Sequence, residues 1–374
     1  MRVLILTGST GGGHQSAAYA IQQEAEKSGV DAVCIDTLAF VSQCFAKLYR
    51  GGYEYCVKHY PKACGIHYKA SDRLRYVNTL QTAIELLCTV KLGMLVCNLR
   101  PDWIVCTHPL PLPVLHSIQQ RSVESRIAVV ITDIYPHRLW LRAEPDLYFV
   151  WDQWSRNALL RRCGVLPDEV VVSGIPINDA FWDGCIAGAL ESGWFCRDKT
   201  PLILITSGSI GGGDFIDVVK ALSMLEVPCH AIFVCGHNAV AYRQCEAAIR
   251  GQQGRSLTTF EVKRNVPQEV MAALMRSSSF VIGKPGGLIL SEVLASHRPF
   301  LIYEPFLIPG QEEWNARYIE KCGAALRTRS SEELRRVVGQ LLKSPEKLAA
   351  MRANAEKIAH PHAARDIVRH IVEL

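Results

Sequence analysis

A histidine that directly follows a run of glycines is the first arrangement in the chain that could do chemistry. His14 comes after Gly11, Gly12 and Gly13, which themselves follow the apolar run 2–7. Glycines let the backbone approach a ligand closely, and the helix that starts after them offers unpaired N–H groups. A neutral imidazole with a pKa of about 6.5 is suited to accept a proton. The sequence therefore predicts His14 as a general base, with a turn-capping histidine as the alternative.

A second glycine loop stands at the equivalent place in the second half of the chain. It follows the apolar run 202–206 and precedes an amphipathic stretch that ends near Leu225. Backbone N–H groups in such a loop can hold a diphosphate, and a simple tight turn is the alternative. The residues predicted to contact the diphosphate are Ser207, Gly208, Ser209, Gly211 and Gly212.

Two later motifs carry acidic side chains that suit hydroxyl groups. Residues 283–292 begin with a glycine turn and place Glu292 one to two turns into a helix, where its carboxylate can accept both hydroxyls of a ribose. A solvated helix glutamate is the alternative. Residues 309–315 gather amides and carboxylates on a loop, which suits a sugar. The predicted residues are Gly286, Gly287 and Glu292 for the nucleotide, and Gly310, Gln311 and Glu312 for the sugar.

Asp133 is a second candidate for acid–base chemistry. It lies just past the apolar run 127–132, where it could act as a base itself or orient His14. The sequence has no Asp-x-Asp motif that would hold a metal ion. We therefore expect no metal and no cofactor, and we expect helix N-termini and backbone N–H groups to stabilise a departing diphosphate.

The elements that must position these residues follow one pattern twice. Each half of the chain opens with a strand, a glycine loop and a helix, and apolar runs then alternate with helical stretches, which is typical of a parallel α/β sheet. The predicted parts are an N-terminal domain at 1–178 with an insertion at about 37–100, a linker at 179–200, a C-terminal domain at 201–345, and helices at 346–374 that cross back to the N-terminal domain.

Charge is concentrated in one segment of the insertion. The chain of 374 residues has a net charge of +5, and residues 41–76 alone hold seven basic and two acidic side chains, which is also +5. The same segment holds half of the 12 tyrosines. Aromatic rings with polar tips and basic side chains are suited to dock on an anionic membrane surface. The alternative is a solvated helical face with the tyrosines in the local core. The mild overall charge does not suggest nucleic-acid binding.

Together and in order, these motifs resemble glycosyltransferase family 28. The block 283–316, with Lys284-Pro-Gly-Gly287, Ser291-Glu292 and Pro309-Gly-Gln-Glu312, is the most specific part. Within the family, the chain is similar to the bacterial processive diacylglycerol glucosyltransferases and the plant monogalactosyldiacylglycerol synthases. The block 132–140 and the run 174–177 match that group as well.

The resemblance implies two Rossmann-like domains that face across a cleft, the GT-B type, and an inverting hexosyltransferase. The 14 scattered cysteines suggest a reducing compartment and no apolar stretch is long enough to span a bilayer, so we expect a peripheral enzyme on the cytoplasmic face of a membrane. UDP-hexose would bind the C-terminal domain, with the backbone near Val266 meeting the uracil, and diacylglycerol or a similar lipid would bind the N-terminal domain. His14 matches the family's glycine-loop histidine. The loop 304–309 looks longer than in the bacterial enzymes, which leaves glucose and galactose both open. Residues expected on the acceptor side are Gly13, His137 and Trp140.

Other functions are compatible with parts of this pattern. The same fold could transfer N-acetylglucosamine from its UDP derivative to another lipid-linked or natural-product acceptor, or could serve a UDP-sugar epimerase. Asp36 after the first glycine loop could suggest a dehydrogenase that binds NAD, but the second glycine loop and the Gly-Gln-Glu motif disfavour it. A binder of nucleotide sugars without catalytic activity would also show these motifs.

Overall fold

The protein forms two parallel α/β units, each built around its own sheet. The structure is a computed structural model that describes residues 1–8, 12–73, 90–119, 124–162, 164–183, 200–252 and 254–374. Unit 1 comprises Met1–Asn178, Pro309–Gln311 and His362–Leu374, and unit 2 comprises Asp179–Ile308 and Glu312–Pro361.

The sheet of unit 1 has the strand order β2-β1-β3-β4-β5-β6, and every pairing is parallel. The inner residues of its strands are mainly apolar, as expected where helices cover both faces of a parallel sheet. The strands are β1 (Arg2–Thr7), β2 (Asp31–Asp36), β3 (Trp103–Cys106), β4 (Arg126–Val130), β5 (Leu147–Val150) and β6 (Val170–Val172).

The described part of the predicted insertion is mostly helical. Residues 37–73 and 90–99 form helices, with single non-helical residues at 42 and 60. Residues 74–89 lie outside the described part of the chain. The helices are α1 (Gly12–Lys27), α2 (Thr37–Val41), α3 (Gln43–His59), α4 (Pro61–Arg73), α5 (90–99), α6 (Leu112–Gln119) and α7 (Gln153–Leu160).

The sheet of unit 2 has the order β12-β11-β10-β7-β8-β9, again with parallel pairings only. Counted from its own first strand, this is the 3-2-1-4-5-6 order of a Rossmann fold. The strands are β7 (Leu202–Thr206), β8 (Cys229–Val234), β9 (Thr258–Lys263), β10 (Phe280–Gly283), β11 (Phe300–Tyr303) and β12 (Ala325–Thr328).

The helices of unit 2 alternate with these strands. Leu222, Leu334 and Leu341 are fully buried and belong to the core that the helices form with the sheet. The helices are α8 (Phe215–Ser223), α9 (Ala239–Arg250), α10 (Gln268–Ser277), α11 (Gly287–Ala295), α12 (Glu313–Lys321), α13 (Ser331–Leu342) and α14 (Pro345–Lys357).

The fold class predicted from the sequence is confirmed, with two Rossmann-like halves. The chain segments divide differently from the expected boundaries in three places. Residues 179–183 belong to unit 2, and 184–199 of the expected linker lie outside the described residues. The helix α14 also belongs to unit 2, where Met351 and Ala355 are buried, and only the last helix, α15 (Ala363–Glu373), lies in unit 1.

The third difference concerns the motif expected to bind the sugar. Gly310 and Gln311 are assigned to unit 1, whereas Glu312 is assigned to unit 2. No helix in the described parts of the chain is long and apolar enough to cross a membrane.

Candidate active site

In unit 1 the order of strands reverses between β1 and β3, and the carboxyl ends of strands at such a switch point are the usual place for a ligand. His14 lies there, in the first turn of α1. Its Nδ1 is 2.9 Å from the carbonyl oxygen of Thr107, which follows β3, and 2.7 Å from the hydroxyl of Thr132, which follows β4. The Thr107 hydroxyl in turn donates to the His14 carbonyl at 3.0 Å.

These contacts fix which ring nitrogen of His14 carries the proton. A carbonyl oxygen can only accept a hydrogen bond, so Nδ1 must be the N–H that faces Thr107. The Thr132 hydroxyl then accepts from the same N–H. The lone pair of the neutral ring is therefore on Nε2, and this is the atom that can take a proton.

The surroundings of His14 keep the ring neutral. Burial lowers its pKa to about 4, against the opposing effect of the Thr107 carbonyl. His108 meets the ring edge-on with centroids 4.6 Å apart, and Trp140, which is buried, lies 6.2 Å away. The imidazole is thus unprotonated at neutral pH and held between two rings.

Reasoning from the sequence did not identify His108. Its ring is buried, and its Nδ1 accepts a hydrogen bond from the Leu110 N–H at 3.0 Å. Burial, with a smaller effect of His14, lowers its pKa well below the usual value. A Cβ at Gly8 would lie 2.9 Å from this ring, so glycine is needed there to make room for His108. In the sequence, a role of His108 at this site could have been suspected only from its position shortly after the end of a strand.

The residues predicted for the acceptor side occupy different environments. Asp133 is half-buried, just after the end of β4. Gly13 lies in the first turn of α1, and Trp140 reaches the ring of His14 from the core. His137 is buried and points elsewhere: its Nε2 donates to the Tyr68 carbonyl at 3.0 Å and its Nδ1 accepts from the Leu139 N–H at 3.1 Å. In this structure His137 therefore fixes helix α4.

A second set of contacts also ties α4 to the domain. Arg162 donates to both carboxylate oxygens of Asp72, at 2.8 and 3.1 Å, and to the hydroxyl of Tyr135 at 2.7 Å. The Arg138 N–H also donates to Asp72, at 2.8 Å. Despite partial burial, these contacts lower the pKa of Asp72. The inserted helices are thus anchored at the end of α4.

In unit 2 the strand order reverses between β7 and β10, so the loops that follow these two strands meet at its switch point. The predicted diphosphate loop, 207–213, follows β7. Asn238 holds it by donating to the Gly211 carbonyl at 2.9 Å. Ser207 and Gly211 are buried, whereas Gly208, Ser209 and Gly212 are partly exposed.

Glu292 is not the solvated helix residue that was the alternative to a ribose contact. It is buried within α11, and burial raises its pKa to about 8. Gly286 precedes α11 as its N-cap residue and Gly287 is its first residue. Val266, expected near the uracil, is buried in the segment after β9.

Both carboxylate oxygens of Glu312 have contacts within the protein. It is buried, and its Oε1 forms an ion pair with the Lys284 ammonium at 2.6 Å. Its Oε2 accepts a hydrogen bond from the Ile308 N–H at 2.8 Å. Gly310 is buried and Gln311 is half-buried, so of the three predicted residues Gln311 is the one with a partly exposed side chain.

No group of three or more histidine, cysteine, aspartate or glutamate side chains is arranged to hold a metal ion among the described residues.

Comparison with known proteins gives the class of the chain. Residues 14–177 match the family model of monogalactosyldiacylglycerol (MGDG) synthase. A processive diacylglycerol beta-glucosyltransferase from Bacillus cereus (strain G9842) is 29% identical over 391 residues, covering 99% of this chain and 93% of the relative.

Solved structures give the same fold over the whole chain. MurG from Acinetobacter baumannii has a TM-score of 0.64 at 16% identity, covering 100% of this chain and 99% of that one. UDP-GlcNAc 2-epimerase from Neisseria meningitidis, bound to UDP-GlcNAc, has a TM-score of 0.66 at 16% identity, with 100% of both chains covered.

The fold is that of the GT-B glycosyltransferases, and the family model together with the full-length relative indicates a glycosyltransferase. The chain is similar to the diacylglycerol glucosyltransferases and monogalactosyldiacylglycerol synthases, as the sequence motifs predicted.

Proposed function

We propose that this enzyme transfers a hexose from UDP-hexose to diacylglycerol, with inversion at the anomeric carbon, to make a glycolipid. The observation that carries the proposal is the neutral imidazole of His14, whose tautomer is fixed so that Nε2 carries the lone pair. The name of the Bacillus cereus relative and the matched family model supply the acceptor and the sugar class.

The reaction divides into a base step and a leaving-group step. The acceptor hydroxyl attacks the anomeric carbon and gives its proton to Nε2 of His14, while the bond from that carbon to the diphosphate oxygen breaks. UDP leaves with the bonding electron pair. Backbone N–H groups of the loop 207–213 stabilise the developing negative charge as fixed dipoles. Asp133 stays the second candidate for the base.

On the donor side, the proposal assigns each part of UDP-hexose to a predicted residue. The backbone near Val266 meets the uracil, Glu292 meets the ribose hydroxyls, and Gln311 and Gly310 meet the hexose. The raised pKa of Glu292 means that the carboxyl is protonated at pH 7 before UDP binds, so it can donate as well as accept a hydrogen bond.

The acceptor is a membrane lipid, and we propose that helices α3 and α4 dock the enzyme on an anionic membrane at its cytoplasmic face. Four large apolar or aromatic side chains on these helices or between them are well exposed: Leu48 at 73%, Tyr55 at 56%, Tyr60 at 58% and Ile66 at 71%. Tyrosine is suited to the headgroup region, where its ring is buried and its hydroxyl stays wet.

Basic side chains accompany these exposed apolar groups. Lys47, Arg50, Lys62 and Lys69 are all exposed on the same two helices. A basic side chain near an anionic surface contributes about 1 kcal/mol, so the four together support reversible binding. The alternative, that the tyrosines form a local core, fits Tyr49 and Tyr68 but not the exposed Tyr55 and Tyr60. Tyr76 lies outside the described residues.

The activity is tested by incubating the enzyme with diacylglycerol micelles and UDP-glucose, UDP-galactose or UDP-N-acetylglucosamine, with and without excess EDTA. Mass spectrometry should find hexosyl-diacylglycerol, formed at the same rate with EDTA because the proposed mechanism uses no metal. His14→Ala serves as the inactive control. Epimerisation of UDP-N-acetylglucosamine without any glycolipid, or transfer only to a different acceptor, would overturn the proposal.

Membrane docking is tested by sedimentation with liposomes that contain phosphatidylglycerol. A variant with Lys47, Lys62 and Lys69 changed to glutamate should sediment less than the parent, and added salt should weaken binding of the parent. Its affinity for UDP should be unchanged. Lys220→Glu with Lys343→Glu and Lys347→Glu, three exposed positions of unit 2, is the matched control with the same change in charge. Equal sedimentation of the triple variant and the parent would exclude α3 and α4 as the docking surface.

A further inference from the structure

The two loops at the switch point of unit 2 differ in chemistry. The loop after β7 contributes backbone N–H groups, whereas the loop after β10 contributes a cation, Lys284. β7 and β10 are paired in parallel, with Thr206 opposite Gly283, so Lys284 and Ser207 leave neighbouring strand ends side by side. Ligands of open α/β sheets bind at this position.

Lys284 is held close to the backbone of the glycine loop. A Cβ built at Gly208 would lie 3.6 Å from the Cε of Lys284. Gly208 also has a φ of +80°, a conformation that side-chain-bearing residues rarely adopt. The positive φ therefore favours glycine at this position, and the lysine chain lies within van der Waals reach of the loop.

The position of the ammonium group is set by Glu312. The Lys284 side chain is only 14% exposed, and its Nζ is 2.6 Å from Oε1 of Glu312. The second carboxylate oxygen is fixed by the Ile308 N–H, so Glu312 cannot follow the lysine elsewhere. An ammonium group has three N–H donors, and the ion pair with Glu312 uses one of them.

We propose that Lys284 binds the diphosphate of the sugar nucleotide and stabilises the negative charge that develops on it as the glycosidic bond breaks, with Glu312 as the residue that positions Lys284. The inference rests on the proposed function, because it takes the ligand to be a nucleoside diphosphate sugar. It changes the role expected for Glu312, from contact with the sugar to support of a cation. A point charge beside backbone donors is a common way to bind phosphate.

The test compares three ligands of increasing charge, uridine, UMP and UDP, by calorimetry. Lys284→Met should leave the affinity for uridine unchanged and weaken UDP by roughly 10- to 100-fold, the effect of one charge-assisted hydrogen bond. Lys284→Arg, which keeps the charge, should lose less. In Lys284→Met the carboxylate of Glu312 is left buried without its partner. The double variant Lys284→Met with Glu312→Gln removes that charge, and it should show the same loss of affinity for UDP and none for uridine. Lys220→Met is the matched control on the surface.

The outcomes separate this inference from the proposed function. If the parent binds UDP no better than uridine, the nucleotide-diphosphate donor is wrong, and the inference falls with it. If the parent prefers UDP and both Lys284→Met variants keep that preference in full, the role of Lys284 alone is overturned. A loss for uridine as large as the loss for UDP would likewise contradict a specific contact with the diphosphate.

Discussion

The hydroxyl of Thr132 offers a sharp test of how His14 is oriented. Thr132→Val removes this hydroxyl, 2.7 Å from Nδ1 of His14, at a buried position and with little change in side-chain shape. The Thr107 carbonyl remains as an acceptor for the same N–H, so the tautomer persists but the ring is held less firmly. We expect kcat to fall while the affinity for UDP stays the same.

The size of this effect follows from the lost contact. A hydrogen bond between neutral groups contributes about 1 kcal/mol, which corresponds to about a five-fold change in rate. This is far smaller than the loss expected from removing the imidazole itself. Thr132→Ser keeps the hydroxyl and should restore most of the rate.

Initial rates of glycolipid formation in mixed micelles, measured over a range of UDP-hexose concentrations, separate kcat from KM. Calorimetry with UDP shows in parallel that the donor domain is intact. A Thr132→Val enzyme that turns over as fast as the parent would refute the positioning role. A Thr132→Ser enzyme as slow as Thr132→Val would show that packing, and not the hydroxyl, is responsible.

Three further predictions follow from the two units. His14→Ala should lower kcat by roughly 10²–10⁴-fold, while calorimetry shows unchanged binding of UDP; near-normal turnover would remove His14 as the base. Gly8→Ala should destabilise the protein by about 1–3 kcal/mol in urea unfolding, because the new methyl group would meet His108; equal stability would show that the ring moves freely. Glu292 should make the free energy of unfolding fall as the pH rises from 4.5 to about 8, because burial raises its pKa and the folded state binds its proton more tightly. Glu292→Gln should remove this pH dependence of stability. An identical pH dependence in both proteins would show that Glu292 is not its source.

The repeated order of strand, glycine loop and helix could be predicted because it is local in the sequence. Strands of a parallel sheet are buried on both faces, so runs such as Leu4–Leu6 and Ile203–Ile205 are recognisable without any partner. The same logic located His14 at the start of a helix. Its role as a base stays a prediction.

The partners of the site residues could not be predicted, because they come together only when the chain folds. Thr107 and Thr132 lie 93 and 118 residues from His14. Glu312 is 28 residues from Lys284, and its motif gave no sign that an ion pair would occupy the carboxylate. His137 has a sequence position as suggestive as that of His14, but burial against α4 gives it a different set of contacts.

The last helix, α15, makes unit 1 discontinuous in sequence. Ile367, Val368 and Ile371 are buried in the same core as Ala18 and Ile21 of α1. The ring of His370 meets Phe149 of the sheet edge-on, with centroids 5.9 Å apart. A fragment that ends at residue 178 would therefore expose a strip of apolar surface on α1, and we expect it to aggregate unless α15 is supplied as a separate peptide or fused to it. Unit 1 can be complete only after residue 371 has been synthesised, so it cannot finish folding while the rest of the chain is still being made.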